Sequence, residues 1–233
     1  MEIFVIGSAG SGKSTFVKNF SEFLWEKGYK VSCVNLDPAS DPIFDAEANI
    51  RDYVRVEDVM VNYGLGVNGA LLKSVELGLK FAEKLKKEAD YVLYDTPGQM
   101  EVFIFSEEGR KFVEKLSGSF TAAIFLMDLT LVRDAESFLS AVLQDVIVSL
   151  RLSLPTLTAF TKVDVADPDI NAMVDEIFKK EGVLAELLEK IVEFIEYTTI
   201  PYRAIKVSNI KKTGYEELFS AINELFCACG DIS

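Results

Sequence analysis

The chain has 233 residues, 49% of them hydrophobic and 26% charged, with a formal net charge of −13 and no histidine. That length and composition suit one sizeable core, and the acidic balance argues against binding nucleic acid through the bulk field. Without histidine the usual general base near neutrality is missing, so hydrolytic chemistry would fall to carboxylates, amides or metal-bound water.

The three cysteines are Cys33, Cys227 and Cys229. An odd count at wide spacing argues for a reducing compartment, and a cytoplasmic protein is expected. The Cys227-x-Cys229 pair is a conceivable metal ligand, but one further cysteine and no histidine make a tetrahedral zinc site unexpected. A strand pattern starts at once, with no basic region or cleavage site before it, and the run Thr121–Met127 is too short to span a bilayer. Neither a leader nor a membrane association is expected.

The first apolar run, Glu2–Ile6, reads as a buried strand. It leads into Gly7-Ser8-Ala9-Gly10-Ser11-Gly12-Lys13-Ser14-Thr15, the pattern G-x-x-x-x-G-K-[ST] of a phosphate-binding loop. Gly10 and Gly12 let the backbone curl so that N–H groups of the Gly10, Ser11, Gly12 stretch point at a polyphosphate. Lys13 places a positive charge on it, Ser14 offers a hydroxyl to Mg²⁺, and a helix from about Lys13 through Thr15 to Lys27 adds its positive end. The alternative is a plain Gly/Ser turn between strand and helix.

Lys30–Asn35 reads as the second strand, followed by Asn35-Leu36-Asp37-Pro38-Ala39. Asp37 is a candidate to orient or deprotonate the lytic water, or to join the Mg²⁺ shell, although Asp-Pro-Ala is also a common turn. An insertion, Asp41–Gly69, exceeds what a simple crossover needs. Leu71, Leu72, Val75, Leu79, Ala82 and Leu85 then share one helical face, ending in the charged run Glu83–Glu88.

Tyr91–Tyr94 reads as a third strand, leading into Asp95-Thr96-Pro97-Gly98-Gln99. A carboxylate at Asp95 can hold the Mg²⁺ shell, and Gln99 can orient water; the blander readings are a helix cap and an exposed loop amide. Glu101 is a weaker candidate beside them, or simply a first-turn helix carboxylate. The fourth strand is Thr121–Met127. A helix follows with a wide stripe at Phe138, Leu139, Val142, Leu143, Val146, Ile147 and Leu150, suited to core packing or to a subunit interface.

The fifth strand, Leu154–Phe160, leads to Thr161-Lys162-Val163-Asp164, which departs from the base-recognition pattern N-K-x-D only at its first residue. The Asp164 carboxylate can accept from the ring N–H and the amino group of guanine, a donor pair that adenine lacks. Lys162 can lay its stem along the base, and Thr161 supplies a hydroxyl where an amide is expected. A second long insertion, Val165–Pro201, carries Val183, Leu184, Leu187, Leu188, Ile191, Val192 and Ile195 at helical spacing. The sixth strand, Arg203–Val207, precedes Ser208-Asn209, where the Ser208 backbone N–H is a candidate base contact.

Strands alternating with helices predict an α/β architecture, a mostly parallel sheet with helices on both faces in three layers, in one domain over 1–233. In such sheets ligands bind at the carboxyl ends of strands, where all these motifs fall.

Together the residues resemble the GPN-loop GTPases, dimeric P-loop proteins, over nearly the whole chain. The carriers are Gly7–Thr15, Asp37-Pro38-Ala39, Asp95–Gln99, Thr161–Asp164 and Gly64-Leu65-Gly66-Val67-Asn68-Gly69, where Val67 stands in place of the proline of the family's Gly-Pro-Asn loop. The resemblance implies a Mg²⁺-dependent hydrolase converting GTP to GDP and phosphate, and a homodimer in which Asn68 reaches the partner's γ-phosphate or leaving phosphate. Read locally, Asn68 is a helix N-cap instead. Val leaves the loop less stiff than Pro does, which predicts lowered turnover with little change in nucleotide affinity. Other dimeric relatives often carry a signature Lys early in the phosphate loop, where this chain has Ser8-Ala9; that disfavours an ATP-driven partitioning protein. The competing functions are a nucleotide-gated assembly factor with protein clients, and a dimeric ATPase.

Overall fold

A computed structural model describes residues 1–169 and 205–227, together with residues 172, 173, 175, 186 and 190. The long helix expected over Val165–Pro201 lies mostly outside the described residues, as does Cys229.

Among the described residues seven strands form one sheet in the order β3-β2-β4-β1-β5-β6-β7, and every ladder is parallel. They are β1 Glu2–Gly7, β2 Val31–Asn35, β3 Ala48–Asn49, β4 Tyr91–Asp95, β5 Thr121–Asp128, β6 Thr156–Thr161 and β7 Ile205–Val207. The described helices are α1 Lys13–Glu26, α2 Val56–Tyr63, α3 Val67–Gly78, α4 Ala82–Leu85, α5 Met100–Ile104, α6 Glu107–Leu116, α7 Ala135–Leu152 and α8 Tyr215–Cys227.

The layering follows from the period of two along each strand. Ile3 and Val5 of β1 face one side with Leu93, Ile124 and Leu126, where α1 (Phe16, Phe20, Leu24) and α8 (Tyr215, Leu218, Ile222) cover them. Phe4 and Ile6 face the other side with Tyr94, Phe125 and Met127, covered by α3 to α7 through Leu71, Phe103, Phe112, Phe138 and Leu139. Two buried faces on one parallel sheet explain why the central strands read as unbroken apolar runs. This is the three-layer α/β P-loop fold that the sequence predicts.

Several boundaries differ from the sequence reading. The strand expected over Leu154–Phe160 starts at Thr156 and ends on Thr161, because Pro155 contributes only its carbonyl, to the Ala123 N–H at 2.9 Å. The insertion 41–69 holds β3, a two-residue strand too short to show alternation. The helix expected through Leu85 is broken. It stops at Gly78, turns through a 3₁₀ segment at Leu79–Phe81 and resumes as α4. A Cβ on Gly78 would lie 3.0 Å from Ile50 Cδ1, so the helix packs closely on the β3 connection, and Phe81 stacks on Tyr53 with centroids 4.7 Å apart. Leu72, assigned to the buried face, is 48% exposed. The α7 stripe divides: Phe138, Leu139 and Val142 are core, whereas Leu150 is 74% exposed.

Candidate functional site

β1 lies at the sheet centre between β4 and β5, so the loop after it opens beside their carboxyl ends. Gly10 (φ 78°) and Gly12 (φ 92°) take the left-handed conformation that the curl requires. Gly7 has a different reason: a Cβ there would lie 2.7 Å from Ser11 Oγ and 2.8 Å from the Leu126 carbonyl. Ser11 is fully buried and its hydroxyl has no hydrogen-bond partner among the described residues, while Thr15 sits half-buried in the first turn of α1.

Lys13 is 6% exposed and folds back over the loop, donating to the carbonyls of Gly7 at 2.8 Å and Ser8 at 3.0 Å. Burial pulls its pKa below the usual lysine value, opposed by the charges of Asp95, Asp37 and Glu101. Those three carboxylates are therefore the acids that Lys13 faces.

Asp95 ends β4 rather than capping a helix. Its Oδ2 accepts from Ser14 Oγ at 2.6 Å, and its Oδ1 is buried with no hydrogen-bond partner among the described residues. Burial pushes the carboxyl up to about 6, against the Ser14 hydrogen bond and Lys13. A buried hydroxyl–carboxylate pair with one orphaned oxygen, beside a phosphate loop, fits Mg²⁺, which takes few protein ligands and completes its shell with phosphate and water. No cluster of three or more acidic or cysteine ligands occurs among the described residues.

Asp37 is held rigidly. Its Oδ2 accepts from the Gly98 N–H at 3.1 Å and its Oδ1 from the Ala39 N–H at 2.8 Å. Buried Asn35 organises this loop: its amide donates to the Asp37 and Ser40 carbonyls and to Asn49 Oδ1, and its oxygen accepts from the Asp37 N–H. Asp37 is thus both the turn residue and a neighbour of Lys13. Gln99 precedes α5 with no side-chain capping bond, and Glu101 lies exposed in the first turn of that helix.

The base motif is tied to the phosphate loop. Thr161 Oγ donates within reach of the Ser11 carbonyl at 3.1 Å and the Met127 carbonyl at 3.3 Å, so the hydroxyl braces the loop from the end of β6. Lys162 has φ 62°, and its ammonium pairs with Asp128 Oδ2 at 2.6 Å. Burial resists ionisation of Asp128, but the bonds from Lys162 and Thr130 outweigh it and hold its pKa below the usual value. Asp164 Oδ1 accepts from Ser208 Oγ at 2.6 Å.

One expectation and one alternative local reading are corrected. The Ser208 backbone N–H is spent on the Thr213 carbonyl at 3.1 Å, in a small antiparallel bridge, so Ser208 meets the base motif through its hydroxyl instead. Asn68 is not an N-cap. Gly66 occupies that position (φ −71°, ψ 169°), leaving Asn68 exposed as the second residue of α3, and no hydrogen bond ties it to its own phosphate loop among the described residues. The sequence reading also passed over Asp128, Asn35 and Asn209; the signal for the first was its place at the end of a central strand.

A family model described as a conserved hypothetical ATP binding protein matches residues 5–228. The chain is 31% identical to the GPN-loop GTPase PAB0955 of Pyrococcus abyssi, over 100% of both chains. It is 34% identical to the GPN-loop GTPase QQT2 of Arabidopsis thaliana, over 94% of this chain and 62% of that protein. The apo crystal structure of PAB0955 matches with a TM-score of 0.85 at 29% identity, over 98% of each chain. The septum site-determining protein MinD of Pyrococcus horikoshii, solved with Mg-ADP, shares the fold at a TM-score of 0.52 and 16% identity, over 98% of this chain and 97% of that one. Agreement over the full length in both sequence and fold makes the chain a member of the GPN-loop GTPase family.

Proposed function

We propose that this GTPase works as a Mg²⁺-dependent homodimer, converting GTP and water to GDP and phosphate. The observation that carries the reading is the hydrogen bond from Thr161 to the Ser11 carbonyl. It joins a guanine-selective motif to a phosphate cradle on the rim that also holds Asp95. The loop N–H groups and Lys13 hold the phosphates. Asp164 takes the base, steadied by Ser208, while Lys162 lies along it with its head tethered to Asp128.

Ser14 and Asp95 would hold Mg²⁺, which when bound neutralises charge on the transferring phosphoryl oxygens. Asp37, fixed by two backbone N–H groups, orients water or accepts its proton, with Gln99 and Glu101 beside it. Preorganised charge of this kind supplies most of the rate gain in phosphoryl transfer.

Asn68 acts across the dimer in this reading. Two features support it: the side chain is exposed at the head of α3, and the apolar residues around its loop face solvent, Val61 at 82%, Tyr63 at 51%, Val67 at 53% and Leu72 at 48%. Exposed apolar clusters of this kind suit an interface. Among the described residues no helix is long and apolar enough to cross a membrane. The cysteine usage points to a reducing compartment, and we place the protein in the cytoplasm.

The test is a competition between GTP and ATP, with and without Mg²⁺, together with the mass of the protein in solution. Preference for GTP, Mg²⁺-dependent turnover and a dimer support the reading. Preference for ATP would favour the dimeric ATPase instead. Client proteins captured only in one nucleotide state would favour a nucleotide-gated assembly factor.

A further inference from the structure

Ser208 and Asn209 stand together after β7 but reach opposite ends of the site. Ser208 Oγ donates to Asp164 at the base end and accepts from the Lys211 N–H at 3.0 Å, within a turn closed by paired backbone bonds between Ser208 and Thr213. Asn209 leaves that turn for the phosphate end. Its Nδ2 lies 3.3 Å from the Gly12 carbonyl and 3.1 Å from where a Cβ on Gly12 would sit.

The rest of Asn209 is anchored on two buried residues. Its backbone carbonyl accepts from Asn19 Nδ2 at 2.7 Å, and its Oδ1 accepts from the Tyr215 hydroxyl at 2.9 Å. Asn19 is 8% exposed and Tyr215 is 2% exposed. The Gly12 carbonyl can only accept, so the amide must turn its NH₂ toward it, which leaves Oδ1 for the Tyr215 O–H. Burial pushes the Tyr215 phenol up to about 12, against the neighbouring Asn19 side chain, so it stays a donor throughout the neutral range. The Gly12 carbonyl also accepts the Phe16 N–H at 2.8 Å, where the loop becomes α1. A displacement of Asn209 is therefore felt one residue before Lys13.

We propose that Asn209 is a positioning residue that couples the guanine end of the site to the phosphate loop. Occupation of Asp164 by guanine steadies Ser208, and Asn209 transmits that order to Gly12. The inference rests on the base assignment made above for Asp164 and adds a second link beside the Thr161 brace.

The test uses the full chain and four nucleotides: GDP, GMP, IDP and IMP. Hypoxanthine lacks the exocyclic amino group, so inosine nucleotides give Asp164 one hydrogen bond fewer, and the monophosphates lack the β-phosphate that the loop cradles. In the wild-type chain, the preference for guanine over hypoxanthine is expected to be about fivefold larger for diphosphates than for monophosphates, the low end of typical site-to-site coupling. In Asn209→Ala the difference between the two preferences shrinks toward the part that the Thr161 link alone carries. Tyr215→Phe keeps the ring contacts with Phe16, Phe20 and Phe23 but loses the hydroxyl, so it lowers the coupling as well. It also stands in if Asn209→Ala does not fold.

A merely structural Asn209 would shift all four affinities by one factor and leave the ratio of preferences at its wild-type value, which overturns the proposal. Coupling that persists unchanged in Tyr215→Phe overturns it too. A wild-type preference equal for mono- and diphosphates removes the proposed coupling and leaves the base assignment standing. No preference for guanine in either pair removes the base assignment and the coupling with it.

Discussion

The Ser14 hydroxyl donates to Asp95 Oδ2 at 2.6 Å, joining the first turn of α1 to the end of β4, and leaves Asp95 Oδ1 buried without a hydrogen-bond partner among the described residues. This pair is the Mg²⁺ platform of the proposed reaction. Ser14→Ala and Asp95→Asn should each lower kcat by roughly a hundredfold, the scale for losing one preorganised electrostatic group. Titrating Mg²⁺ against turnover checks it: both variants should need more Mg²⁺, while Mg²⁺-independent nucleotide binding survives.

Asn68 lies exposed at the head of α3, so the proposed cross-dimer role has a direct genetic readout. Asn68→Ala and Lys13→Ala should each be nearly inactive alone. Mixing the two proteins should restore a share of activity, because a mixed dimer holds one site with both an intact loop and a partner's Asn68. If Asn68 acts in its own subunit, the mixture stays as inactive as its parts.

Val67 opens α3 as its first residue, and Gly66 supplies the extended N-cap. Proline is favoured at that position because its N–H is not needed and its φ suits the helix. Val67→Pro should therefore raise turnover while leaving the affinity for GTP nearly unchanged. It should also stabilise the fold by about 0.5 kcal/mol through the unfolded state. Steady-state kinetics and thermal melts measure both.

Asp145, on α7, is a buried carboxylate that the reaction does not use. Burial pushes it up to about 6, only partly offset by the Thr158 hydroxyl. The Thr158 hydroxyl lies near this carboxyl without closing a full hydrogen bond to its buried Oδ1. With a folded value above the ordinary 3.8, the unfolded chain releases this proton first. Its contribution to stability is therefore largest at low pH, falls as pH rises from about 4 to about 6, and is flat above. Asp145→Asn should flatten that decline and stabilise the chain at pH 7 by about 1–2 kcal/mol. Urea unfolding at several pH values checks it.

Much of the site was legible because its residues are punctuation at strand ends. Lys13, Asp37, Asp95, Thr161 and Asp164 each follow or end a strand of one parallel sheet, and parallel strands deliver their carboxyl ends to one rim. What was hidden depends on contacts distant in sequence. The break after Gly78 answers to Ile50, and the two residues of β3 show no period. The use of the Ser208 N–H depends on a turn closed by Thr213, and Asn209 acts through Gly12, Asn19 and Tyr215. Asn68 was misread locally because Gly66, lacking a capping side chain, takes the N-cap.

The central claim is that Asp164 reads guanine at one end of a site whose other end is the phosphate loop. The most direct measurement is the affinity of Asp164→Asn for GTP, ATP and the xanthine nucleotide XTP. The account predicts that GTP binding weakens by about a hundredfold, as charged hydrogen bonds to the base are lost. ATP should be unaffected and XTP should gain, since an amide can donate to its second carbonyl. A variant that keeps the wild-type preference for GTP over ATP would contradict it.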